Sequence, residues 1–116
     1  MLRIRSEQLD VFKKIQLQRF VDDLCQYALL EFPVETARMD ADALRHFVEK
    51  AINNAESYQI TERPDICQFL NYMFILGEDF DQQLDWARAI LSDPLEQSGS
   101  VKMLLLNNAA LGNEDA

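Results

Sequence analysis

Apolar side chains return every three or four residues through most of this chain, and that period favours helices over strands. Between Leu9 and Ala28 they fall at Leu9, Phe12, Leu17, Phe20, Leu24 and Ala28, with Val21, Cys25 and Tyr27 widening the stripe. Leu44, Phe47, Val48, Ala51, Ile52 and Ala55 repeat the pattern further on. Sustained alternation of apolar and polar residues, the mark of a half-buried strand, is missing; Arg3, Ile4 and Arg5 form the one short extended candidate. Three Gly and three Pro punctuate 116 residues. The expectation is a single all-α domain of four to five helices in antiparallel, bundle-like packing.

Caps and breakers set the expected boundaries. Ser6 can cap a first helix, with Glu7 in its first turn, and Pro33 ends it by pushing Phe32 out of helical geometry. A second helix starts at Asp40 or Asp42 and reaches about Tyr58. Thr61 is the expected cap of a third, with Pro64 early enough to cost no hydrogen bond. This third helix holds Ile66, Cys67, Phe69, Leu70, Tyr72, Met73, Phe74, Ile75 and Leu76, apolar on nearly every side, and Gly77 is its natural C-cap. A short fourth helix carries Leu84, Trp86, Ala87, Ile90 and Leu91. Residues 97–100 read as a flexible turn and residues 101–111 as a fifth helix. The ordered part is expected over about residues 6–111, with 112–116 a frayed tail.

Charge narrows the partners. The net charge is -9, and residues 61–116 carry ten acids against three bases where residues 1–32 carry five of each. Phosphate-backbone binding needs a basic stripe. The bases Arg3, Arg5, Lys13, Lys14 and Arg19 are interleaved with Glu7, Asp10, Asp22 and Asp23, so no nucleic-acid partner is expected. A basic protein fits the acidic half better, through steering by complementary charge. No apolar run is long enough to span a bilayer, and the first residues lack the apolar core of a signal peptide. A cytoplasmic protein without a membrane partner is expected. Cys25 and Cys67 sit among apolar neighbours and read as free core thiols of a reducing compartment, a disulfide between them being the minority reading.

No constellation spells out a reaction. Glu78, Asp79 and Asp81 gather carboxylates but lack the spacing of a calcium loop, and Phe80 among them reads as an anchor to the core. His46 is the sole histidine, in no zinc-like spacing with the two cysteines. Glycine-rich phosphate loops are missing, as are CxxC and HExxH. No catalytic residue, metal or cofactor is therefore assigned, and the chain reads as a non-enzymatic protein-binding module. Its expected partner-facing edge is the loop at residues 77–81, with Glu78, Asp79 and Asp81 outward or organising local amides, Phe80 as the pin, and Arg63 and Trp86 nearby. Capping of the turn and the next helix by Asp79 and Asp81 is the competing reading. A homodimer is the alternative to a monomer, with Phe12, Phe20, Tyr72 and Trp86 as its contact candidates.

Several segments together carry a resemblance. The opening MLRIRSEQLDVF, Arg19 with Phe20, the LeuGluPhePro run to Pro33, the turn at Arg63, Pro64 and Asp65, and Cys67 belong to it. So do Met73 with Phe74, Gly77, the AspPheAsp at 79–81, Trp86 with Ala87, and AlaIleLeu and AspPro within 89–94. Over roughly residues 1–95 these are similar to a family of small helical bacterial proteins encoded beside type VI secretion spike and effector genes in Gram-negative bacteria. The family has no established catalytic residues to carry over. Members often have a more basic early helix than the balanced one here. The resemblance implies a secreted effector or toxin as partner. The expected role is adaptor or chaperone for a type VI secretion effector; the alternative is an immunity protein that neutralises a cognate toxin.

Overall fold

The computed structural model describes residues 6–114, and their side chains over residues 8–112. The extended reading at Arg3, Ile4 and Arg5, the capping roles of Ser6 and Glu7, and the last two residues of the tail lie outside the described residues. Within them the chain is all-α, with seven helices, several of them short, and no sheet. The order is α1 Ser6–Glu31, α2 Pro33–Thr36, α3 Ala41–Ser57, α4 Arg63–Leu76, α5 Phe80–Gln83, α6 Asp85–Leu91 and α7 Gly99–Glu114. The expected four to five helices become seven because two single turns, α2 and α5, are too short to show a period. Contacts cluster into two units, Met1–Val48 and Glu49–Ala116, and the division falls inside α3.

In the first unit, α1 is buried along its later half alone. Val21, Leu24 and Ala28 are buried, whereas Leu9, Phe12 and Ile15 are exposed. At about 100° per residue the second set lies roughly 150° around the helix from the first. Leu17 is exposed too. Leu17 shares the angle of the buried set, so the stripe read from Leu9 to Ala28 is core only from Val21 onward. Pro33 opens α2, where the buried Thr36 donates its hydroxyl to the Phe32 carbonyl at 2.7 Å. Asp40 caps α3: its Oδ1 accepts from the Ala43 amide at 2.7 Å. Arg45 reaches Asp22 at 2.6 Å and ties α3 to α1.

In the second unit, α3 ends in a left-handed turn. Gln59 has φ of 63°, its amide bonds the Glu56 carbonyl, and the Ile60 amide bonds the Ala55 carbonyl. That pairing is a Schellman motif with glutamine where glycine is usual, and its apolar contact is met by Ile60 and Ala55, both fully buried. Helix α4 runs back antiparallel to α3, since Tyr58 meets Phe69 while Lys50 meets Asp79. Glu62, not Thr61, is its N-cap, and no side-chain bond makes the cap. Pro64 occupies the first turn without loss. Ile66, Phe69, Leu70 and Met73 of α4 are buried, while Cys67 is only half-buried.

Helix α7 departs from the antiparallel expectation. Ser100 bonds Asp65 and Asn107 bonds Tyr72, so α4 and α7 advance together in the same direction. The long link through α5, α6 and residues 92–98 returns the chain to the start of α4. In the turn expected at 97–100 the Ser98 hydroxyl accepts from the Val101 amide, and Gly99 begins the helix. A Cβ on Gly99 would stand 2.0 Å from the Gln59 carbonyl oxygen, so only glycine permits this approach. At its other end α7 continues through Gly112 to Glu114, beyond the expected stop at 111.

Candidate functional site

The loop after α4 is the sequence's candidate edge, and Gly77 creates it. Its φ of 120° lies where L side chains rarely go, which frees the chain from the helix. Phe80 is fully buried, its ring 5.1 Å from that of Phe69 and 5.8 Å from that of Tyr72, so the anchor reading holds. Glu78 is exposed and Asp79 half-buried. Lys50 lies 2.7 Å from Asp79 and 3.5 Å from Glu78. The bond to Asp79 raises the Lys50 pKa, against the opposing effect of desolvation and with help from the charge of Glu78. Part of the acidic surface is therefore already matched by a base of α3.

Asp81 does not face outward. It is 1 % exposed, and its Oδ2 accepts the Tyr58 hydroxyl at 2.7 Å while Oδ1 is buried without a hydrogen bond. Burial, then the bond to Asp81 and its charge, push the Tyr58 pKa well up. Neither acid caps α5 in the expected way: Asp79 occupies the N-cap position without a side-chain bond, and Asp81 is engaged with Tyr58.

Arg63 is not beside the loop. It opens α4 and Gly77 closes it, a rise of about 20 Å along the helix. Trp86 is half-buried in the first turn of α6, next to the exposed Asp85–Arg88 pair at 2.8 Å. The loop, α5 and α6 follow one another directly, so Glu78, Asp79, Phe80, Asp81 and Trp86 belong to one stretch and Arg63 to the other end of α4.

Sequence reasoning passed over Lys102. Lying inside an apolar run, it is only 3 % exposed, and its ammonium donates to the Tyr58 carbonyl at 3.2 Å and to Gln59 Oε1 at 2.8 Å. The signal was a lone lysine at a core position of α7. His46 is exposed, with Nδ1 2.8 Å from the Asp42 carbonyl. A carbonyl only accepts, so Nδ1 carries the proton. Cys25, Leu29, Met39, Asp40, Leu44 and Arg45 line a cleft of about 400 Å³ in the first unit.

Among the described residues no group of three or more His, Cys, Asp or Glu could hold a metal ion, and no helix is long and apolar enough to cross a membrane. Comparison with protein-family models, curated proteins and solved structures gives no match.

Proposed function

We propose that this chain is a non-enzymatic protein-binding module of the cytoplasm, an adaptor or chaperone for a type VI secretion effector. One observation carries the binding reading: the amount of large apolar surface standing in solvent. Leu30, Val34 and Leu95 are each more than half exposed. Contiguous apolar surface on a small domain marks a place where another chain sits. A chaperone uses such surface to shield apolar segments of its cargo. The secretion setting rests on the resemblance of residues 1–95. The loop at 77–79, with Glu78 outermost, is the edge that orients a basic partner, and Trp86 adds apolar area.

The alternative is an immunity protein. The charge of -9 favours it, because an acidic protein can plug the basic cleft of a toxin such as a nuclease. Co-expression separates the two. A chaperone raises the abundance or solubility of the effector; an immunity protein restores growth against the toxin domain alone. If neither neighbour-encoded protein co-purifies with this chain, the pairing is wrong.

A further inference from the structure

Two helical faces lack cover, and they differ in charge. Residues 8–18 of α1 are exposed around the whole helix, with Phe12 at 55 % and Ile15 at 45 %. On α7, Val101, Leu104, Leu105 and Leu111 are exposed, while Lys102, Met103 and Leu106 are buried. At about 100° per residue the four exposed residues, with Asn108, fall within about a third of the helix circumference. Among the described residues no charged side chain stands on that face. Ile75 of α4, 63 % exposed, extends it, since the parallel pairing of α4 with α7 sets Ile75 level with residue 110.

We propose that a second copy of this chain covers both faces, the first half of α1 from one copy lying on the α7 face of the other. Charge supports this occupant. Residues 1–19 hold five bases and two acids, a net of +3 in a chain of -9, and residues 61–116 are the acid-rich part. The basic N-terminal stretch therefore meets an apolar face that belongs to the acid-rich part of the chain. An anionic bilayer or a nucleic acid would attract the same helix end but repel the other residues, which carry -12. Pairing of α1 with α1 is disfavoured, because an antiparallel stripe centred on Phe12 brings Lys13 of each copy together. Lengths agree as well: residues 8–18 run about 15 Å along the helix, as do residues 101–111.

Sedimentation of the purified full chain tests this. The expected mass at high micromolar concentration is at least twice 13.4 kDa, with association weaker at about 1 M salt than at about 0.1 M. A monomer at both salts overturns the proposal, as does association indifferent to salt. Two variants then assign the surfaces: Phe12→Ser with Ile15→Ser, and Leu104→Ser with Leu111→Ser. All four positions are exposed, and circular dichroism checks that helicity is kept. Each variant alone is expected to be monomeric, and an equimolar mixture to form a mixed complex, because each retains the face the other lacks. Self-association of the α7 variant alone would show α1 pairing with α1 and overturn the assignment. So would a monomeric wild-type chain that co-sediments with phosphatidylserine vesicles.

Discussion

The Tyr58 hydroxyl lies 2.7 Å from Asp81 Oδ2 and is, among the described residues, the one hydrogen-bond donor to a carboxyl group that is otherwise sealed from water. This bond joins the end of α3 to α5, across the aromatic cluster of Phe69, Phe80 and Tyr72. It converts an acid of the expected recognition loop into part of the interior.

Removing that donor should cost stability. Tyr58→Phe leaves both oxygens of Asp81 without a partner, an expected loss of about 1–3 kcal/mol. Tyr58→Phe with Asp81→Leu should recover part of it, since two apolar groups leave nothing unpaired. Urea midpoints would show both effects. An unchanged midpoint for Tyr58→Phe would mean that the bond contributes nothing.

Alkaline pH should expose the same pair. The folded chain favours neutral Tyr58, so its pKa is raised above the ordinary 10.0. Stability from this group is complete below pH 10.0 and is lost as pH rises from there towards the folded value. The urea midpoint should fall more steeply above that pH for the wild type than for Tyr58→Phe. Lys50, also raised, loses its contribution in the same direction, but it titrates in both proteins and cancels from the comparison. Parallel curves would rule out a role for Tyr58.

Glycine substitutions should divide by position. Gly99→Ala drives a methyl group into the backbone of Gln59 and Ile60, which cannot swing aside, and should cost about 1–3 kcal/mol or more. Gly112→Ala meets nothing within 4 Å and should be neutral or stabilise the helix by up to about 1 kcal/mol. Thermal melts of the two variants would separate them. Equal effects would contradict the close approach.

The two sides of the acidic loop should respond differently to charge reversal. Glu78→Lys alters an exposed pair with Lys50 and should move stability by less than about 1 kcal/mol, while weakening a basic partner. Asp81→Lys places a cation in a sealed site and should prevent folding of the second unit. A folded, stable Asp81→Lys protein would show that Asp81 is not held inside.

The helical class, Pro33 as a stop, a helix start at Asp40 or Asp42, Gly77 as a release and Phe80 as an anchor were all legible, because each depends on local chemistry. What escaped the sequence was tertiary. The three-four period cannot tell which part of α1 meets a core, so Leu9 and Phe12 looked like Leu24. Nothing local distinguishes Asp81 from Asp79; the difference is the Tyr58 hydroxyl, 23 positions away. The direction of α7 was hidden for the same reason, as the link before it is long enough to return the chain either way. Arg63 was grouped with the loop by chemistry, although the length of α4 separates them.

The seat of Gly99 on the Gln59 carbonyl orders events during synthesis. Forty positions separate the two residues, so at translation rates of about 5–20 residues per second α7 emerges roughly 2–8 s after the turn it must rest on. Until then the Tyr58 carbonyl and the Gln59 amide oxygen have no Lys102 ammonium to accept from, and the Met103 and Leu106 positions of the core are empty. A nascent chain of this protein therefore carries an open apolar seam while the residues from Gln59 to Gly99 are being made.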